Sequence, residues 1–543
     1  MDRRETMSKI ILAEHVAQLI QDQAVIGISA SSGLAGLPEE LLIAIRDRFL
    51  REKQPKDMTF IHSSGIGNNT EGRGADHIAY EGLTKRIISG HPGFSHRMAK
   101  FISEGKVEAY LFPQGTIAQI WRSTAGNKPG LITKIGLNTY VDPRLQGAKA
   151  NTNTTEDLID VIEINGEEWL HYHNFPVDVA IIRASTADVN GNLTTEREIA
   201  NFEILPVAIA AKNNGGIVIA QVENIAEANS LDPKQVKVPG VLVDYIVVAK
   251  SENHYQTMKR YYHPALSGEL KVPTEAIPKM PLNARKIIAR RAAMELEPDS
   301  IVNLGIGMPD GVSSVAAEEG VSDEFTLTVE FGIFGGIPAS GYDFGSSFNA
   351  EAYIDHASMF DYYDGGGLDA TFLGFAQLDQ YGNVNVSQLG TKVIGPGGFI
   401  NISQSSKKVV FMGTFTNGLK VKVENSALTI VDHGENRKIM NDVEQITFSG
   451  KFATENDLPV LYVTERAVFD VEKGRLRLIE IAPGIDLERD VLQWMDFKPI
   501  IAENLKVMDP VIFNEEWGGL KEIIDEKKRK KWYGKRKRQE STE

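Results

Sequence analysis

The run Val179-Ala-Ile-Ile-Arg-Ala-Ser-Thr-Ala-Asp188-Val-Asn-Gly191-Asn192 carries an apolar strand pattern into an Asp/Asn-Gly turn. The run Ala370-Thr-Phe-Leu-Gly-Phe-Ala-Gln-Leu-Asp379-Gln-Tyr-Gly382-Asn383 repeats this design in the second half of the chain. A short apolar strand pattern follows each turn, at Gly216-Ile-Val-Ile-Ala220 and Lys408-Val-Val-Phe-Met412. The repetition indicates a duplicated α/β unit. Strands alternating with helices predict two open α/β domains with mostly parallel sheets covered by helices.

Glycine-proline patterns also recur near the start of each half, at Gly33-Leu-Ala-Gly36-Leu-Pro38 and Gly305-Ile-Gly307-Met-Pro309. Between the halves, Pro264, Pro273, Pro278 and Pro281 fall among polar residues, which predicts an extended connection. We therefore expect an N-terminal domain at 1–262, a linker at 263–282, a C-terminal domain at 283–518 and a basic tail at 519–543.

Composition limits the class of protein. The 543 residues are 42% hydrophobic, and the net charge of −15 argues against a nucleic-acid-binding body. There is no cysteine, so disulfides, cysteine-based zinc sites and a cysteine nucleophile are excluded. No apolar run approaches the roughly 18 residues of a membrane span, and the N-terminus does not resemble a secretory signal. We expect a soluble, cytoplasmic protein.

Glu330 is the most informative single residue. It follows the strand pattern 325–329 in Thr326-Leu-Thr-Val-Glu330-Phe-Gly-Ile-Phe-Gly335-Gly336, and glycines begin two residues later. Ligands of parallel sheets collect at the carboxyl ends of strands, where small residues allow close approach. A carboxylate there is a candidate nucleophile for covalent acyl chemistry, although an exposed glutamate before a turn is the simpler interpretation.

Other constellations are weaker. The loop from Gly305 to Gly311 has one residue too many for G-x-G-x-x-G and contains Pro309, so dinucleotide binding is disfavoured. Neither a G-x-S-x-G elbow nor a P-loop is present. His171 and His173 share one face of a possible strand without an obvious third ligand, so we predict no metal in the site.

Together, five motifs resemble those of family I coenzyme A transferases of the single-chain, short-chain acyl-CoA:carboxylate type, and the likeness runs from about Ile11 to Asp509. The motifs are Gly33-Leu-Ala-Gly36-Leu-Pro38, Pro113-Gln114-Gly115-Thr116, Asn303-Leu-Gly-Ile-Gly-Met-Pro309, Thr328-Val-Glu330-Phe-Gly-Ile-Phe-Gly-Gly336 and Gly395-Pro-Gly397-Gly398-Phe.

The resemblance implies a ping-pong transfer in which Glu330 is the nucleophile and forms a covalent glutamyl-CoA thioester. It further implies that Gln114, Asn303 and the Gly398 backbone N–H stabilise the oxyanion and orient the thioester. The glycines at 305, 307, 397 and 398 would let CoA approach closely. Coenzyme A is then a substrate, with no other cofactor, and the resemblance implies a homo-oligomer, either a dimer or a tetramer.

Two positions depart from the family pattern. Asn401 stands where related sequences carry an aspartate. His62-Ser-Ser64 stands at a site that is a paired asparagine in related ketoacid transferases, and this second change argues against a 3-ketoacid preference. Phe331 and Phe334 in the active loop leave the acyl-length limit open.

The tail from Lys527 to Arg538 holds nine lysines and arginines, and such charge blocks are usually disordered and solvated.

The sequence leaves three functions open. They are a CoA-transferase acting on acetyl-, propionyl- or butyryl-CoA and acetate, an acyl-CoA hydrolase on the same fold, and a non-enzymatic module that binds a sugar phosphate or nucleotide. A 3-ketoacid transferase is a variant of the first.

Overall fold

The structure is a computed structural model that describes residues 9–30, 32–273 and 279–540, with side chains as far as residue 531. Pro278 of the predicted linker therefore lies outside the described residues.

The N-terminal half is built on a seven-stranded sheet in the order β13-β11-β8-β1-β2-β3-β4, and every pairing in it is parallel. Its strands are β1 Val25–Ile28, β2 Met58–His62, β3 Thr84–Ser89, β4 Glu108–Leu111, β8 Val179–Arg183, β11 Ile217–Val222 and β13 Tyr245–Val248. Strand β8, which lies in the interior of the sheet between β11 and β1, is buried along its whole length. An unbroken apolar run is expected of a parallel strand covered on both faces.

The C-terminal half holds a ten-stranded sheet in the order β19-β16-β15-β14-β20-β25-β31-β32-β33-β34. Its strands are β14 Ile301–Leu304, β15 Thr326–Val329, β16 Ile333–Phe334, β19 Ala352–Tyr353, β20 Ala370–Gly374, β25 Val409–Met412, β31 Val460–Val463, β32 Ala467–Glu472, β33 Arg475–Ile481 and β34 Ile500–Val507. The five strands from β15 to β31 are parallel, and antiparallel strands flank them on both sides.

Small sheets and helices complete the fold. The smaller sheets contain β5 Leu131–Thr133, β6 Ile159–Ile164, β7 Glu167–Tyr172, β9 Thr186–Asp188, β10 Leu193–Thr194, β12 Asn224–Ala226, β17 Ile337–Pro338, β18 Ser347–Phe348, β21 Gln377–Asp379, β22 Val384–Asn385, β23 Gln388–Leu389, β24 Lys392–Val393, β26 Thr416–Asn417, β27 Lys420–Glu424, β28 Ala427–Asp432, β29 Asn436–Arg437 and β30 Ile439–Met440. The helices are α1 Ala13–Leu19, α2 Glu39–Glu52, α3 His96–Ser103, α4 Gln114–Ala125, α5 Ile204–Asn213, α6 Ala284–Ala293, α7 Gly311–Glu318, α8 His356–Tyr362, α9 Phe399–Ser405, α10 Gly450–Glu455 and α11 Leu520–Glu540. Among the residues that the structure describes, no helix is both long and apolar enough to cross a membrane.

The repeated turns have the same hydrogen bonds in both halves. Asp188 Oδ1 accepts from the backbone N–H of Asn192 at 2.9 Å, and Asp379 Oδ1 accepts from that of Asn383 at 2.9 Å. The asparagine side chains then accept from glycine N–H groups further along the chain, at 2.8 Å and 2.9 Å. The mixed α/β fold with mostly parallel sheets is confirmed, and the matching turns support a duplicated unit.

The connection between the halves is more ordered than its prolines suggest. Ala265 and Leu266 are fully buried, and Lys271 donates from Nζ to the carbonyl oxygens of Asn349 and Ala350 at 3.2 and 3.0 Å. Residues 263–272 of the predicted linker therefore pack against the C-terminal half, and the linker and domain boundaries stay predictions.

The described part of the basic tail, as far as residue 540, is helical, whereas disorder was expected. It forms α11, whose residues Leu520 and Ile524 are buried in the C-terminal core. Lys527 Nζ donates to the carbonyl oxygens of Met294 and Leu296 at 2.9 and 2.7 Å. The lysines lie where backbone oxygens are free at the end of α6, a favourable place for cations.

Candidate functional site

Glu330 directly follows β15, in a turn closed by a bond from Gly332 N–H to Val329 O at 3.0 Å. Gly332 has φ +106°, and a Cβ there would lie 2.1 Å from Ile354 O. Only glycine fits this position. The sequence Glu-Phe-Gly therefore holds the carboxylate at the carboxyl end of β15, as the strand pattern predicted.

The Glu330 side chain is buried, with 8% of the residue exposed. Desolvation is the largest influence and raises the pKa of the carboxyl, while its own backbone N–H and the nearby His356 oppose that rise. A carboxylate removed from water is a stronger nucleophile than a solvated one once it is ionised. The simpler interpretation, an exposed glutamate at a strand end, is wrong.

Gln114 begins α4 and reaches the same cavity from the N-terminal half. Its backbone N–H donates to Gly397 O at 2.8 Å, and its side-chain amide donates to His356 Nε2 at 2.9 Å. His356 Nδ1 in turn donates to Glu203 Oε2 at 2.7 Å. Glu203 and His356 are both fully buried, so this chain of hydrogen bonds fixes the Gln114 side chain.

Asn303 is the third residue of β14, and it also lines the cavity. Its Nδ2 donates weakly to Thr328 O and to the Tyr363 hydroxyl, both at 3.4 Å, while Oδ1 is buried and has no hydrogen-bond partner. The open atom in this arrangement is thus an acceptor, which suits orientation of a ligand N–H group better than oxyanion donation.

The two adjacent glycines before α9 differ in conformation. Gly397 has φ +52°, whereas Gly398 has φ −79° and ψ −4°, so Gly398 is not needed for a positive φ. A Cβ on Gly398 would lie 3.8 Å from Glu330 Cγ and 3.1 Å from Ile402 Cδ1. Glycine here leaves room directly beside the carboxylate. No described hydrogen bond uses the Gly398 N–H, which leaves it available as a donor.

The glycines of the β14 loop divide between two environments. Gly305 lines the cavity, but Gly307 does not belong to the described lining and is exposed, with φ +90°. Arg285 donates to Gly307 O at 2.7 Å. The structure therefore brings Glu330, Gln114, Asn303, Gly305, Gly397 and Gly398 to one cavity and leaves Gly307 at the surface nearby.

The cavity has a volume of about 340 Å³ and lies between the two halves. Most of its wall is apolar, and no lysine or arginine is among the described residues that line it. Burial lowers the pKa of the lining residue His91 to about 4, so this imidazole is neutral near pH 7. Of the substituted trio His62-Ser-Ser64, only Ser64 reaches the described wall. The Ser63 hydroxyl donates to Glu203 instead.

Asn401 lies behind the site, in α9. Its Oδ1 accepts from Gly115 N–H at 3.1 Å, and its Nδ2 donates to Asp364 at 3.2 Å. Burial is the main reason why the pKa of Asp364 rises to about 7. An asparagine at 401 therefore donates to a buried carboxyl group that an aspartate would repel.

Sequence reasoning missed Glu203, His356 and Asp364, which come from distant parts of the chain and show no local motif. It also missed a carboxylate beside His171 and His173, because Asp160 of β6 pairs directly with His171 of β7. The prediction of no metal stays a prediction.

A duplicated α/β fold that buries a strand-end carboxylate in an apolar cavity suits an acyl-transferring enzyme. Comparison with known proteins gives the family. Residues 9–249 match the coenzyme A transferase family model. The chain is 51% identical over 524 residues to a caffeate CoA-transferase of Acetobacterium woodii. The aligned region covers 95% of this chain and 100% of that protein.

A second relative is the acetate CoA-transferase YdiF of Escherichia coli K12, 41% identical over 508 residues, 93% of this chain and 95% of that protein. The crystal structure of the acyl-CoA transferase (YdiF) apoenzyme of E. coli O157:H7 superposes with a TM-score of 0.90 at 40% identity, covering 96% of this chain and 98% of that chain. The chain belongs to the family I coenzyme A transferases, of the single-chain type. It is a CoA-transferring enzyme.

Proposed function

We propose that the protein transfers CoA from a short-chain acyl-CoA, such as acetyl-, propionyl- or butyryl-CoA, to a monocarboxylate such as acetate, by a ping-pong reaction through Glu330. The observation that carries this proposal is the buried Glu330 carboxylate, which lines one cavity with Gly398, whose N–H is open, and with the hydrogen-bonded Gln114 amide.

The proposed chemistry has two half-reactions. In the first, the Glu330 carboxylate attacks the acyl-CoA carbonyl carbon, the C–S bond breaks, and a mixed anhydride and CoA thiolate form. The thiolate then attacks the glutamyl carbonyl, which releases the acyl carboxylate and leaves the glutamyl-CoA thioester. In the second half-reaction, the acceptor carboxylate reverses these steps. Two substrates thus exchange one CoA, with no net proton change.

Each addition places negative charge on an oxygen, so nearby N–H groups determine the barrier. The Gly398 N–H and the second amide hydrogen of Gln114 are the proposed donors, and the loss of one such donor typically costs about 3 to 4 kcal/mol. Asn303, with its open Oδ1, is proposed to accept from an N–H of the CoA arm. Gly305 and Gly397 leave space for that arm.

The apolar wall also bears on the hydrolase alternative. Anhydrides and thioesters hydrolyse if water reaches them, and the aromatic and aliphatic lining opposes this. We therefore propose transfer rather than hydrolysis. The reaction uses CoA as a substrate and calls on no other cofactor.

The wall also supports a preference for monocarboxylates. A second carboxylate on the acceptor would require a cation, and no described lining residue is a lysine or arginine. The site offers a 3-ketoacid no extra hydrogen bond from Ser63, because the Ser63 hydroxyl already donates to Glu203.

A second candidate acceptor is a larger aromatic monocarboxylate. The cavity of about 340 Å³ and its phenylalanines, Phe94, Phe344, Phe375 and Phe399, favour it.

The test is the intact mass of the protein after incubation with acetyl-CoA and no acceptor, followed by peptide mapping. A CoA adduct on Glu330 that acetate, propionate or an aryl-propenoate discharges would support the proposal, and the relative rates would rank the acceptors. Steady CoA release without an acceptor and without an adduct would favour hydrolysis. Glu330→Ala is the control, and it should form no adduct.

Two further expectations accompany this proposal, a homo-oligomer and a cytoplasmic location. Size-exclusion chromatography with light scattering tests the first, and fractionation of the source cells tests the second.

A further inference from the structure

His171, His173 and Asp160 form a compact cluster on the three-stranded sheet β5-β7-β6. Asp160 stands directly opposite His171 in the antiparallel pairing, and His173 lies two residues further along on the same face. Asp160 Oδ2 is 3.5 Å from His171 Nδ1 and 2.7 Å from His173 Nε2. One donor atom from each residue lies within 4.8 Å of the other two.

A hydrogen bond places a proton on one nitrogen of His171. Nε2 donates to Pro129 O at 3.1 Å, so in the neutral imidazole the lone pair lies on Nδ1, which faces Asp160. Gly130 permits this approach, since a Cβ there would lie 2.4 Å from His171 Nε2. Metal-bound histidines usually donate their other ring N–H to a carbonyl or carboxylate in this way.

Charge and access also suit a cation. Asp160 supplies a carboxylate oxygen that faces both imidazoles. The three side chains are 22%, 38% and 52% exposed for His171, His173 and Asp160, so an ion can enter from solvent and keep water ligands. None of the three belongs to the described wall of the active-site cavity.

We propose that Asp160, His171 and His173 form a binding site for one divalent transition-metal cation, with Zn²⁺ as the representative ion. Two imidazoles and one carboxylate select Zn²⁺, Co²⁺ or Ni²⁺ over Mg²⁺ and Ca²⁺, which prefer oxygen ligands. The ion would take the place of the His173 Nε2 proton and link β6 to β7 and to the residue just after β7. The site is independent of CoA transfer.

The test is a calorimetric titration of untagged, chelator-treated protein with Zn²⁺. Wild type should bind one equivalent, and millimolar Mg²⁺ should not displace it. His173→Gln and Asp160→Asn should each weaken binding by about tenfold or more. His15→Gln, at an exposed histidine of α1, is the matched control and should bind as wild type does.

Two further readouts separate the site from nonspecific histidine binding. Bound Co²⁺ should give a visible d–d spectrum in wild type that His173→Gln loses, and Zn²⁺ should raise the Tm of wild type more than that of Asp160→Asn. Both variants should keep transferase activity, which also shows that they are folded. Equal Zn²⁺ affinity in all variants, or no binding to wild type, would overturn the proposal.

Discussion

Gly398→Ala should abolish most of the transferase activity while leaving the fold intact. The residue has φ −79° and ψ −4°, a conformation that alanine adopts without strain. The new methyl group would lie 3.1 Å from Ile402 Cδ1, a side-chain end that can move by a few tenths of an ångström. The free energy of unfolding should therefore change by about 1 kcal/mol at most.

The effect on catalysis should be much larger. The same methyl group would lie 3.8 Å from Glu330 Cγ, within the space that the thioester carbonyl needs for attack. Reacting atoms must come within about 3 to 3.5 Å, and a displacement of about 1 Å can cost a hundredfold. The expected loss in kcat/KM is thus about a hundredfold, or about 2.7 kcal/mol of transition-state free energy.

The assay is steady-state transfer from acetyl-CoA to propionate, with the Tm measured on the same samples. Gly365→Ala is the matched control, because Gly365 is exposed and a Cβ there meets no atom within 4 Å. Wild-type activity in Gly398→Ala, or an equal loss in Gly365→Ala, would refute this reasoning. A Gly398→Ala protein that fails to fold would contradict the stability estimate.

Three other perturbations test the surroundings of the site. Burial raises the pKa of Glu330, so the folded state loses stability as pH rises from the unfolded pKa through the folded pKa. Glu330→Gln should therefore raise the Tm at pH 8 and lose this advantage near pH 4. An equal gain at both pH values would contradict this. Asn401→Asp removes a hydrogen-bond donor to Asp364, whose pKa is about 7. The Tm of this variant should therefore fall more at pH 8, where Asp364 is ionised, than at pH 6. A fall in Tm that does not depend on pH would argue against this reasoning. A chain ending at residue 531 should keep the wild-type Tm and activity. A chain ending at residue 519 loses the buried side chains of Leu520 and Ile524, each contributing about 1.5 to 3 kcal/mol to the free energy of unfolding, so its Tm should fall. An unchanged Tm in the shorter chain would show that α11 is dispensable.

Local pattern predicted the features that depend on neighbouring residues. The alternation before Glu330, the glycines after it and the repeated Asp-x-x-Gly-Asn turns all act within a few residues, and the structure has them where they were expected. The fold class followed from these elements because strands, turns and helices of this length combine in few ways.

Contacts between distant residues could not be predicted in this way. Glu203 and His356 are 153 residues apart, and their pairing depends on how the two halves pack. The place of Asp160 beside His171 depends on the register of β6 against β7, which the sequence alone leaves open. The basic tail misled because its composition resembles a disordered segment, while its order comes from Leu520 and Ile524 and from lysine contacts to α6.

Each half of the chain supplies groups that the other half lacks. Gln114 and Glu203 come from the N-terminal half, whereas Glu330, His356 and Gly398 come from the C-terminal half. Neither half alone holds all the groups of the proposed catalytic centre, so activity should report on the correct docking of the two halves. A chain cleaved between residues 263 and 282 would therefore behave as a two-part complementation system. The separate fragments should lack transferase activity, and reassembly should restore it.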